Sequence, residues 1–150
     1  MAQRTVLNIG GTPLISISAA INAEKSNNVC IFVLHGRGGS KDDMAEFGER
    51  MWTALTDTVH DKNFWIILPD HRNHGARLIS DTQNRGWKHN SSHHTDMYAM
   101  QYGTASDISY LIKFIPLVLG ICFETWIAVG YSMGGHAALM AYSHGTSFMI

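Results

Sequence analysis

Apolar residues along the chain fall into two kinds of pattern. Val29 to Leu34 reads V-C-I-F-V-L, six apolar residues with no polar break, and Phe64 to Leu68 reads F-W-I-I-L. Unbroken runs of this length are expected of parallel strands covered on both faces, whereas a strand with one wet face alternates. Between them, Met44, Phe47, Met51, Trp52, Leu55 and Val59 recur at steps of three and four and predict an amphipathic helix. Ser40 with Asp43 has the spacing of a capping box at its start. Upstream, Arg4 to Ile9, a Gly10-Gly11-Thr12 turn and Leu14 to Ile21 predict a β-hairpin. Downstream, Pro69-Asp70 closes the second buried strand, and a polar stretch from about His71 to Gly103 reads as a long loop. Ile108, Leu111, Ile112 and Ile115 mark a further helix, Thr125 to Val129 a further strand, and a last helix runs to about Ser143.

One stretch imitates a membrane span. Leu111 to Val129 is mostly apolar and close to the roughly 20 residues a bilayer requires. It contains Lys113, Pro116, Gly120 and Glu124, so a helix to Pro116, a turn near Gly120 and a strand from Thr125 describe it better. Strands alternating with helices, with Gly-rich turns after the strands, predict one α/β domain over residues 1–150. Its sheet is expected to be mostly parallel, with an N-terminal hairpin and helices on both faces. In such sheets chemistry sits beyond the carboxyl ends of the strands, where the turns at 35–39, 70–77 and 130–135 fall.

Composition removes some classes of function. A chain of 150 residues with 45% hydrophobic and 15% charged residues is globular in character. The net charge of −1 gives no electrostatic case for nucleic acid or an anionic membrane surface. Cys30 and Cys122 each lie in an apolar run, which reads as packing in a reducing, cytoplasmic setting, and Met1 to Leu7 has no secretory h-region. Nine histidines are the unusual feature, and they would carry the net charge from −1 towards about +8 on full protonation.

Gly130-Tyr131-Ser132-Met133-Gly134 lies between a strand and a helix and has the G-x-S-x-G form of a nucleophile elbow. A sharp turn exposes the serine, glycines let strand and helix backbones approach, and the helix N-terminus faces developing negative charge. His35-Gly36-Arg37-Gly38-Gly39 follows another buried strand and can curl its backbone around an oxyanion. The G-x-x-x-x-G-K-[ST] order of a phosphate cradle is missing. His89, His93, His94 and Asp96 carry metal-ligand chemistry but not at the spacing of a preorganised site, so no metal and no cofactor are expected. His136 is expected to pack against the sheet.

These blocks together resemble the N-terminal part of the α/β-hydrolase fold superfamily. The resemblance rests on V-C-I-F-V-L-H-G-R-G-G-S (29–40), I-L-P-D-H-R-N-H-G (67–75) and W-I-A-V-G-Y-S-M-G-G-H (126–136). N-x-x-W, N, H and D-M in the following loop, then G-T-A-x-D, are similar to an esterase- or peptidase-like branch. The resemblance implies that Ser132 attacks an ester or amide carbonyl of a small-molecule substrate to give an acyl-enzyme. It implies backbone oxyanion donors at Arg37 and Met133, with His35 and Gly36 on the substrate side of their loop. Asp70 and Arg72 are expected to tie their turn together.

The same resemblance exposes a shortfall. The triad order is Ser, acid, His, yet after Ser132 the sequence holds no Asp or Glu, and its histidines are His136 and His144. The chain is therefore expected to be an incomplete α/β-hydrolase fold, truncated after the nucleophile helix. Phe148-Met149-Ile150 would begin a missing strand. The strand at 125–129 would then keep an open edge prone to self-association. A non-catalytic hydrolase-like binding domain or an inactive fragment are the alternatives to a serine hydrolase.

Overall fold

A computed structural model describes residues 2–22 and 27–144, without the side chain of His144. The region of the expected strand start at 148–150 lies outside the described residues. The elements are β1 (Gln3–Ile9), β2 (Thr12–Ser18), β3 (Asn27–Leu34), α1 (Ala45–Thr58), β4 (Lys62–Pro69), α2 (His93–Leu119), β5 (Thr125–Gly130) and α3 (Met133–His144). Short 3-10 turns occur at Gly75–Arg77 and Asp81–Asn84.

The strands form one sheet in the order β1-β2-β4-β3-β5. Gly10 and Gly11, at φ +56° and +81°, make the tight turn of the predicted hairpin, with Ile9 opposite Thr12. The sheet is mixed rather than mostly parallel: β2 pairs antiparallel with both β1 and β4, while β3 pairs parallel with β4 and β5. The hairpin inserts its second strand beside β4, and this register lies between distant segments that the local pattern does not specify.

The unbroken apolar runs do serve two faces. Cys30, Phe32 and Leu34 of β3 and Trp65 and Ile67 of β4 enter one core with Ile108, Leu111 and Ile115 of α2 and Ala137 and Ala141 of α3. Val29, Ile31 and Val33 with Phe64, Ile66 and Leu68 enter the other, under Met51, Trp52 and Leu55 of α1. Helices therefore cover both faces, and strand alternation divides the buried residues between them. Each fully buried leucine or isoleucine contributes roughly 1.5–3 kcal/mol of transfer free energy.

Four local expectations change. The loop predicted to reach Gly103 ends at His93, where α2 begins. The buried positions of α2 start at Met100, so its first two turns lack the apolar period that would announce a helix. The helix also passes through Pro116 and ends on Gly120, at φ +67°. Ser40 Oγ does accept the Asp43 amide at 3.2 Å and donates to the Asp43 carboxylate at 2.8 Å, but these bonds organise a turn ahead of α1, whose N-cap is Met44. Cys30 is buried, whereas Cys122 is exposed, because the turn between α2 and β5 leaves it at the surface.

β5 lies at the sheet's end and pairs only with β3 among the described residues. Its outer flank is open: Ile127 is 39% exposed, and Leu139 of the adjoining α3 is 69% exposed. No helix among the described residues is long and apolar enough to cross a membrane.

Candidate active site

Three turns converge at the carboxyl ends of β3, β4 and β5. At the end of β5, Ser132 has φ +52°, a left-handed conformation that costs a non-glycine residue about 1–2 kcal/mol. The fold holds it there through close backbone contacts. A Cβ on Gly134 would strike the Leu34 carbonyl oxygen and lie 2.6 Å from that of His35. One on Gly130 would strike the Gly134 backbone and lie 2.7 Å from the Gly135 nitrogen. Tyr131 donates its amide to the Leu34 carbonyl at 3.1 Å, which ties the elbow to the end of β3. Ser132 itself is exposed, and its hydroxyl has no hydrogen-bond partner among the described residues.

The loop after β3 packs directly on this elbow. A Cβ on Gly36 would lie 3.0 Å from the Tyr131 ring and 3.6 Å from the Tyr131 carbonyl oxygen. Gly39 donates to the Gly36 carbonyl at 3.1 Å, and Gly38 sits at φ +80°, so the turn's internal bond does not use the Arg37 amide. Met133 opens α3, where an amide has no intrahelical acceptor, and its side chain is 2% exposed and turned into the core. Arg37 is exposed and Gly36 half-buried.

The His35 ring faces inward, away from a position that could meet substrate. It is 1% exposed, its Nδ1 bonds the Gly36 carbonyl at 2.8 Å, and its Nε2 accepts the His71 amide at 3.1 Å. His136 differs from expectation in the opposite sense: it is exposed, and it lines an open cleft with Ser132 and with Ala128, Val129 and Gly130 of β5. The α3 face that meets the sheet is supplied by Ala137, Ala138 and Ala141.

Sequence reading missed a histidine cluster. The rings of His35 and His71 lie 4.2 Å apart edge to face, and His74 lies 5.5 Å from His35. His71 bonds Thr104 through Nδ1 at 3.0 Å and His74 bonds the Arg72 carbonyl at 3.0 Å, while the buried Nε2 of each has no partner among the described residues. Burial pushes all three pKa values down. For His71, with the charges of His35 and His74 adding to burial, the value falls to about 2. The cluster is neutral at ordinary pH. The signal was in the sequence as His35 and D-H-R-N-H after two adjacent strands, but strand adjacency was needed to assemble it.

Asp70 and Arg72 do tie the turns. Asp70 is fully buried, accepts the amides of Lys41 at 2.7 Å and Ala76 at 2.9 Å, and meets Lys41 Nζ at 3.3 Å. Arg72 and Arg77 share Asp107 of α2, each at 2.7 Å, which fastens the turn after β4 to the helix. His89, His93, His94 and Asp96 form no metal-binding group among the described residues. His93 and His94 instead pack around the Trp87 indole, at 5.1 and 5.5 Å.

No family model and no curated protein sequence matches the chain. Solved structures do resemble it. TT1662 from Thermus thermophilus superposes with a TM-score of 0.62 at 14% identity, over 97% of this chain and 52% of its own. A cold-adapted esterase from an Arctic intertidal metagenomic library gives 0.54 at 14% identity, over 99% and 55%. A predicted CIB-like hydrolase from Thermoplasma acidophilum gives 0.51 at 16% identity, over 96% and 57%. The architecture is that of the α/β-hydrolase fold, and the chain spans about half the length of these structures.

Proposed function

We propose that this chain carries the nucleophile half of a serine hydrolase acting on ester or amide bonds of small molecules. The observation that supports this most directly is Ser132, exposed at φ +52° where a strand meets a helix and held by glycines in backbone contact. A structural turn with no reactive role gains nothing from placing a serine where glycine costs less.

In this reading Ser132 Oγ adds to the substrate carbonyl, and a new C–O bond forms as the carbonyl π pair moves to oxygen. The amides of Arg37 and Met133 hold that oxyanion. Collapse expels the alcohol or amine, which takes up a proton, and leaves an acyl-serine for water to cleave. Gly36 borders the substrate through its backbone, and His35 contributes by fixing the loop from behind. This reading takes the base for the serine proton and the acid that orients it from the half of the fold that this chain does not span.

The partners proposed are a small ester or amide and, along the open edge of β5, a second copy of the chain. The reading includes no nucleic-acid role, and the buried free thiol of Cys30 fits a cytoplasmic, reducing setting. The absence of any hydrogen bond to Ser132 Oγ among the described residues favours one other reading, a non-catalytic domain that binds ligand at the same edge.

A fluorophosphonate probe that labels activated serines separates the two. With the missing half of the site supplied, by a longer protein or by a second chain, labelling that disappears in Ser132→Ala is the expected result. Cooperative unfolding of a chain that never labels would favour the binding domain.

A further inference from the structure

Among the arginines of the described residues, pairing with a carboxylate has one exception. Of the six arginines, Arg4 pairs with Asp42, Arg50 with Glu46, Arg72 and Arg77 with Asp107, and Arg85 with Asp81. Arg37 alone has no carboxylate partner among the described residues, and it is the arginine on the loop that packs against the Ser132 elbow. Three other acids have partners of their own: Asp70 with Lys41, Asp43 with Ser40, and Asp96 with Asn90.

The surroundings of Arg37 combine positive charge with an exposed indole. Its guanidinium reaches the turn before α2, where Arg37 Nη1 lies 3.8 Å from the position a Cβ would take on Gly86. Trp87, the next residue, is 65% exposed and stacks on His94 with an interplanar angle of 11°. From Gly86 to Thr95 the sequence holds Lys88 and three histidines and no carboxylate. The Arg37 charge also reaches inward, where it adds to burial in lowering the pKa of His74.

We propose that the Arg37 side chain is a specificity-determining group that binds a carboxylate on the substrate, with the Trp87 indole covering the apolar segment between that carboxylate and the scissile carbonyl. The planar guanidinium offers the paired donors that a carboxylate accepts. The oxyanion amide and the guanidinium belong to one residue, so the reach of a single arginine side chain sets the span between the two groups they recognise. The fitting class is the half-esters and half-amides of short dicarboxylic acids. The choice of reaction rests on the Ser132 reading, but carboxylate binding does not need turnover.

The test is therefore a binding experiment. Monomethyl succinate and its neutral counterpart dimethyl succinate are titrated into the 15N-labelled chain, following the amides of residues 36–39 and the Trp87 indole. The half-ester is expected to bind at least about fivefold more tightly than the diester. That preference should disappear in Arg37→Gln, return in part in Arg37→Lys, and weaken in 1 M salt. Equal shifts from both ligands, a preference that survives in Arg37→Gln, or stronger competition by inorganic phosphate would overturn the carboxylate assignment. Because labelling of Ser132 is measured separately, a failed titration beside successful labelling rejects only the Arg37 proposal.

Discussion

Ser132 sits in a conformation that its own side chain disfavours, and its neighbours maintain it. Replacing it with glycine should relieve that strain, whereas alanine keeps the Cβ. Ser132→Gly is expected to exceed Ser132→Ala in stability by about 1 kcal/mol, read from urea unfolding midpoints at pH 7.5. The histidine cluster makes a second residue-scale prediction. His35, His71 and His74 are neutral in the folded state with pKa values below the ordinary value, and the unfolded chain protonates them near pH 6.5. Their contribution is fully present above that pH, and stability falls as pH drops below it, by at most about 1.4 kcal/mol per pH unit for each histidine. Unfolding free energy should therefore be flat around pH 7–8 and decline between pH 6.5 and 4. His74→Gln should make that decline shallower; an unchanged slope would remove His74 from the account.

Between elements, the structure depends on a few side chains that bridge turns. Asp70 joins the turn after β4 to the segment leading into α1, and Gly75, at φ +52°, leaves room for its carboxylate because it lacks a Cβ. Its partner Lys41 is nearly buried. Burial opposes the lysine's charge, and the bonds to Asp42 and Asp70 more than offset that, holding its pKa above the ordinary value. Asp70→Ala leaves two amides without their acceptor and the Lys41 ammonium with Asp42 alone, and should cost about 2–6 kcal/mol in denaturant unfolding. Gly134→Ala drives a methyl into the Leu34 and His35 carbonyls and should cost about 1–3 kcal/mol or more. Asp70 and Gly134 stand in recognisable motifs, so their importance was legible. The start of α2 was not: from His93 to Tyr98 the helix is held by Trp87 packing and by a bond from His93 to the Arg85 carbonyl, which leave no periodic apolar trace.

For the molecule as a whole, the unequal treatment of its sheet edges matters most. β1 is mostly exposed and carries Arg4, a charged edge residue of the kind that discourages pairing. Among the described residues β5 ends the other side, with Ile127 and an apolar α3 flank. Association that rises with concentration in sedimentation velocity, and falls in Ile127→Lys, is the outcome expected of pairing along β5. An unchanged monomer at all concentrations would count against it. The sequence by itself determined the strands, the two-sided core, the hairpin and the elbow, because each is written in residues close along the chain. Turn glycines, apolar period and burial act over a few positions, and a reader can add them locally. Only the tertiary structure decided that the sheet is mixed, that the His35 ring turns inward and His136 outward, and that among the described residues Arg37 stands without a carboxylate. Each of these depends on which distant segments become neighbours, and strand order and charge pairing are settled by packing across the whole fold.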